Sequence, residues 1–294
     1  MSHGSELRQL MDKGGMIAAP GAYDCITART IEQAGFSAVY MTGAGTAATL
    51  GYPDYGLLTM SEMADNAGRI AAAVAVPVIA DADTGYGNEL NVTRTVREYE
   101  RRGVAGLHIE DQGFPKKCGH LENKTIIPAG DYIAKIRAAV AAKRDPGFII
   151  IARTDSRSVL GFDEAVRRMN AALDAGADMA FLEAPQTMEE VTAVPRLVRG
   201  PCLLNIVWRG KTPDVFLEEA EKAGYKVAIL PGLLFKAVIA TCDAMLKQLR
   251  ERGRHPALDN GMTVQDVFRR MGSGEWDAVS EKFGPREPHA KAAE

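Results

Sequence analysis

Residues 76–112 read VPVIADADTGYGNELNVTRTVREYERRGVAGLHIEDQ. The stretch opens on one apolar run, Val76–Asp83, and closes on another, Gly106–Asp111. Both runs are nearly continuous and do not alternate, which suits parallel strands covered on both faces. Between them Val92, Val96 and Tyr99 recur at helical spacing. Gly103 stands where a left-handed helix C-cap is expected, just before the second run. The unit is strand–helix–strand, and it repeats outward in both directions.

Upstream, Gly15–Ala19 and Ala38–Gly43 read as strands; downstream, Phe148–Thr154, Met179–Ala184, Cys202–Val207 and Val227–Pro231 do. Helical spacing joins Tyr132, Ile133, Ile136, Ala139 and Val140, and again Phe162, Ala165, Val166, Met169 and Leu173. Gly35, Gly176 and Gly224 close further helices. Eight β-then-α units in succession predict an α/β fold, the (β/α)8 TIM barrel. The runner-up, a doubly wound open sheet, lacks its Gly-rich dinucleotide turn after the first strand. The barrel is expected over residues 1–252, with its eighth helix from about Gly232 to Arg252. A C-terminal helical extension is expected over 253–284, with helices at Met262–Met271 and Glu275–Lys282. The polar residues 285–294 read as a disordered tail.

The 294 residues are 46% apolar and 25% charged, an ordinary globular composition. Lys plus Arg number 35 against 38 Asp plus Glu, a net charge of −3. This balance gives no electrostatic case for nucleic acid or an anionic membrane as partner. No apolar run approaches the ~18 residues of a membrane span. The first residues lack the basic and apolar segments of a secretory signal. Cys25, Cys118, Cys202 and Cys242 are scattered without a CxxC pair, which fits the reducing cytoplasm.

In such a barrel chemistry sits at the C-terminal ends of the strands. Polar residues are dense there. Asp81 and Asp83 are two apart on strand three, Glu110 stands at the end of the next strand, and Asp54 can approach from the loop after strand two. Four converging carboxylates raise one another's pKa unless positive charge sits among them. A hard divalent cation answers that need; Mg2+ is favoured, with Mn2+ as substitute. The blander reading, solvated loop carboxylates or helix caps, fits any one Asp-x-Asp well and four such positions together poorly.

The loop Lys116-Lys117-Cys118-Gly119-His120 sets a thiol among cations, a setting expected to lower its pKa and allow proton exchange near pH 7. The other three cysteines read as packing residues. Arg153, at a strand end, fits either a clamp on a substrate carboxylate or a structural ion pair with Glu183. The turn Thr42-Gly43-Ala44-Gly45 offers backbone N–H groups to an oxyanion.

These motifs closely resemble the isocitrate lyase/phosphoenolpyruvate mutase superfamily, its methylisocitrate lyase-like branch in particular. The matching stretches are Tyr40-x-Thr42-Gly43-Ala44-Gly45, Pro53-Asp54, Asp81 to Gly87, Gly106 to Gln112, Lys116 to His120, Ala152 to Asp155 and Glu183-Ala184, in family order over roughly residues 5 to 250. The resemblance implies a barrel, usually tetrameric, with a C-terminal helix exchanged between subunits. It implies Mg2+ and the making or breaking of a C–C or P–C bond beside a carboxylate-stabilised enolate. Asp81 matches the direct metal ligand; Asp54, Asp83 and Glu110 match its water-mediated shell. Cys118 matches the gating-loop acid that protonates the enolate. Arg153, Glu183 and Asn205 match substrate-binding positions, and Thr42, Gly43, Ala44, Lys117, Gly119 and His120 complete the candidate site. Tyr40 and Glu110 both stand as candidates for the base.

The implied activity is retro-aldol cleavage of a 2-hydroxy di- or tricarboxylic acid. The alternatives are an oxaloacetate hydrolase or decarboxylase, a carboxyphosphonoenolpyruvate phosphonomutase, or an inactive barrel acting as a binding protein. The chain departs from true methylisocitrate lyases at Trp208-Arg209 and at Leu230-Pro231-Gly232-Leu233. A bulky Trp208 in the pocket would imply a smaller acid, such as an alkylmalate or oxaloacetate.

Overall fold

The computed structural model describes residues 2–257 and 261–284. Eight parallel strands close into one barrel in chain order: β1 Ile17–Ala22, β2 Val39–Met41, β3 Val78–Asp81, β4 Gly106–Glu110, β5 Ile149–Thr154, β6 Met179–Leu182, β7 Cys202–Asn205 and β8 Val227–Leu230. Closure comes from β1 against β8, with Ile17 opposite Val227 and Pro20 opposite Leu230.

The barrel interior is filled, as its strand interiors require. Tyr40, Ile79, Ile151, Phe181, Leu203 and Ile229 form one buried cluster inside the ring. Leu7, from the helix His3–Asp12, belongs to the same cluster and closes the N-terminal end. Two further clusters lie between strands and outer helices. The helix-ending glycines Gly35, Gly103, Gly176 and Gly224 all take positive φ, 83° to 105°, as the C-cap reading requires.

Every strand shifts by one to three residues at an end from the sequence reading, and three of these shifts have a local cause. β1 begins at Ile17 and reaches Ala22, because Gly14 and Gly15 take positive φ and still belong to the preceding turn. β2 stops at Met41, because the Thr42 side chain accepts from the Gly45 N–H and starts a helix, Gly43–Thr49. β3 stops at Asp81; Asp83 lies beyond it at φ 46°, so strand alternation does not place its side chain.

The chain divides between Thr241 and Cys242, inside the helix Leu233–Arg252. The second unit carries the helices Val264–Arg270 and Ser273–Phe283, neither of which has a buried residue. The tail expected over 285–294 lies outside the described residues. No described helix is long and apolar enough to cross a membrane.

Candidate active site

Strand ends and one loop build the site. Tyr40, on β2, has its hydroxyl 2.8 Å from His108 Nε2 on β4 and 3.5 Å from Asp81 Oδ2 on β3. Asp81 Oδ2 also accepts from the Gly43 N–H at 3.2 Å, and Oδ1 from the Asp83 N–H at 2.9 Å. A Cβ at position 43 would lie 2.4 Å from Asp81 Oδ2, so the carboxylate's place depends on glycine there. The Gly43 N–H is thus already engaged, and the turn is a capped helix start rather than an open nest.

Arg153 is held by three carboxylates. Its Nε lies 2.9 Å from Asp155 and 3.3 Å from Glu110, and its Nη2 lies 3.2 Å from Glu183. These contacts fall on Nε and Nη2. Asn205 donates to Glu183 at 3.1 Å, while its own Oδ1 is buried with no hydrogen-bond partner. His120 Nδ1 accepts from the Lys211 N–H at 2.9 Å, which leaves the Nε2 proton for Glu183, 3.2 Å away.

The loop after β4 brings Cys118 over this floor. Lys116 is buried, in contact with Asp54 and 2.8 Å from Asp83. It supplies the positive charge that the carboxylates need. The Cys118 N–H donates to the Asp54 carbonyl at 3.1 Å. Gly119 packs so closely on Arg153 and Glu183 that a Cβ would come within 2.6 Å of each.

The result is a cavity of about 460 Å³ whose wall includes Tyr40, Thr42, Ala44, Asp54, Asp81, Cys118, Gly119, His120, Arg153, Glu183 and Asn205. Four expected site residues are off that wall. Gly43 and Asp83 hold Asp81 from behind, Glu110 lies beneath Arg153, and Lys117 turns its ammonium to the Asn123 carbonyl. Trp208 is 62% exposed and does not fill the cavity; Arg209 lines it and stacks its guanidinium 4.5 Å from the Trp208 ring.

Burial and neighbouring charge set the titration. Burial opposes the charge on Asp81, but His108, Lys116 and Arg153 outweigh it and hold the carboxyl down at about 2. Asp83 is pushed up to about 6 by burial, against the pull of Lys116. Burial also drives Glu110 well above the carboxylate range, and takes the His108 imidazole down to about 4. Glu183 stays ionised despite burial, through Arg153 and His120. The Cys118 thiol is the main correction: burial and the Asp54 charge push it up to about 11. Lys116 spends its charge on Asp54 and Asp83, so the loop does not make an acidic thiol.

The site residues suit a Mg2+ ion. Among the described residues no three His, Cys, Asp or Glu side chains form a ready-made cage. Mg2+ needs none, since it keeps several waters and takes one or two carboxylates plus ligand oxygens. An ionised Asp81 on the wall matches that donor set.

Sequence reasoning gave no role to His108, Asp155 and Lys124, whereas Arg209, expected to shape the pocket, lines it. His108 was visible as a polar residue inside an apolar strand run, and Asp155 as the carboxylate two residues past Arg153.

The family model described as phosphoenolpyruvate phosphomutase matches residues 7–250. The chain belongs to this family. It is a lyase of the phosphoenolpyruvate mutase/isocitrate lyase superfamily by kinship. It is similar to the 2,3-dimethylmalate lyase of Eubacterium barkeri, with 48% identity over 92% of this chain and 95% of the relative. The 2-methylisocitrate lyase of Aeropyrum pernix is 42% identical over 93% of this chain and 89% of its own. The solved structure of an oxaloacetate acetylhydrolase in complex with 3,3-difluorooxalacetate has a TM-score of 0.93 at 39% identity, covering 97% of this chain and 98% of that one.

Proposed function

We propose that this lyase cleaves a 2-hydroxy dicarboxylic acid of the alkylmalate type to a 2-oxo acid and a smaller carboxylate, with Mg2+ as cofactor and Cys118 as general acid. One observation carries the reading: Cys118 from the loop and ionised Asp81 from β3 line a single cavity with Tyr40, Arg153 and Asn205. Bound at Asp81, with Asp54, Asp83 and Glu110 reached through water, Mg2+ would supply Lewis acidity and a template for the substrate's oxygens.

The chain's own groups divide the remaining work. Arg153, with Nε and Nη2 engaged by carboxylates, offers its remaining face to a substrate carboxylate. Asn205 Oδ1, buried without a partner, is an acceptor left open beside Glu183. Tyr40 is the group placed to take the hydroxyl proton; Glu110 is off the wall. Burial and the Asp81 charge hold the Tyr40 phenol well above its ordinary range, against the pull of Arg153 and Lys116. The C–C bond then breaks, its electron pair passes to the enolate, and the Cys118 S–H gives its proton to the enolate carbon. A thiol at about 11 is protonated throughout the neutral range, as a general acid requires.

The 48% identity to a 2,3-dimethylmalate lyase favours an alkylmalate. The fold likeness to an oxaloacetate acetylhydrolase supports oxaloacetate hydrolysis as second reading. Cytoplasmic residence and a homotetramer are part of the proposal, the first supported by four free cysteines and the second by C-terminal helices with no buried residue. The test is a panel of 2,3-dimethylmalate, 2-methylisocitrate, oxaloacetate and a phosphonate, each with and without Mg2+. Mg2+-dependent release of a 2-oxo acid from 2,3-dimethylmalate is expected. Turnover of oxaloacetate alone would favour the second reading, and turnover without added Mg2+ after chelation would remove the cofactor.

A further inference from the structure

We propose that Lys124 is a positioning residue that latches the Cys118 loop closed by tying the Gly119 carbonyl to Asp155. The proposal rests on the reading of Cys118 as a functional group of the cavity.

Lys124 has a side chain only 1% exposed, and lysine is almost never buried so deeply unless its ammonium is fully partnered. Its partners are two. The ammonium donates to the carbonyl of Gly119, one residue past Cys118, and to Asp155 Oδ1 at 2.9 Å. Asp155 is itself wholly buried beyond β5. Asn123, at φ 58°, takes a left-handed backbone just before Lys124. Lys124 is not on the cavity wall, so it touches no ligand and acts only through the loop.

The latch has a counterpart. Lys116 pins the other side of the same loop to Asp54 and Asp83. Cys118 therefore sits between two buried ammonium anchors. The Lys124 anchor is also shared with the cavity: Asp155 holds Lys124 through Oδ1 and the Arg153 Nε through Oδ2, 2.9 Å away. Loop closure and the side chain that faces the substrate meet on one carboxylate.

The test is Lys124→Met in the full chain, which keeps the stem and removes the charge. Labelling by iodoacetamide at pH 8.5, resolved by site, reads the loop without turnover; exposed Cys242 and buried Cys202 serve as internal references. Cys118 should label about tenfold faster than in the wild type, as the open loop gains population, with Cys202 still protected. On whichever acid the wild type turns over, kcat should fall about tenfold or more while KM changes far less, since the proton donor is misplaced and Arg153 keeps its contacts with Glu110 and Glu183. Unchanged Cys118 labelling in the folded variant overturns the latch. Should Lys124→Met fail to fold, Lys124→Gln, which is shorter and removes the charge, is read by the same labelling with the same two outcomes. Loss of the general-acid reading would show separately, as wild-type kcat in Cys118→Ser, and leaves the labelling result standing.

Discussion

At the residue scale the site separates two carboxylates that look equivalent in sequence. Asp81 and Asp83 differ by two positions, yet one is held at about 2 and the other rises to about 6. The difference comes from what each faces: at Asp81 the charges of His108, Lys116 and Arg153 outweigh burial, whereas at Asp83 burial, with Asp81 and Asp54, outweighs Lys116. Asp81→Ala is accordingly expected to weaken Mg2+ binding by at least about tenfold and to abolish activation, as isothermal titration would show. An unchanged titration would remove Asp81 as ligand. Cys118 gives a pH prediction. Its pKa is raised, so thiolate forms only as pH climbs toward about 11. At pH 8 about one thiol in a thousand is ionised, and alkylation of Cys118 should speed about tenfold per pH unit up to that point. A plateau near pH 8 would show an acidic thiol after all.

At the element scale the site depends on where strands stop. The apolar runs placed all eight strands, because burial on both faces leaves a mark in composition. Their ends were less legible. Thr42 ends β2 by capping a helix and Asp83 ends β3 by a left-handed backbone, and neither event changes the apolar pattern. Counter-ion pairing was legible at Arg153 and Glu183, 3.2 Å apart, but not elsewhere in the site: Lys116 meets Asp54 across 62 positions and Lys124 meets Asp155 across 31. The orientation of Trp208 was equally hidden, since a large ring beside a pocket motif reads as lining and only the fold turns it outward. The packing of the helix Gly43–Thr49 on β3 gives its own prediction. Gly43→Ala puts a methyl 2.4 Å from Asp81 Oδ2 and should cost about 1–3 kcal/mol of stability, with weaker Mg2+ activation. A thermal melt and metal titration equal to wild type would show that the carboxylate can move freely.

At the scale of the barrel the two ends do different work. The N-terminal end is closed by the helix His3–Asp12, through Leu7 in the interior cluster and Arg8, which donates to the Gly147 and Phe148 carbonyls and pairs with Asp178 at 2.7 Å. Leu7→Ala should lower stability by about 2–5 kcal/mol in denaturant titration while leaving kcat at low temperature near wild type. A loss of kcat in the folded variant would mean that the two ends are coupled. The C-terminal end joins a loop thiol to strand carboxylates in one cavity, and the proposed chemistry stands on that junction. Its most direct test is Cys118→Ser with 2,3-dimethylmalate, measured for kcat and for half-saturation by Mg2+ in the same preparation. The account predicts a kcat lower by about 10²–10⁴-fold with Mg2+ half-saturation unchanged. A near-wild-type kcat would contradict it.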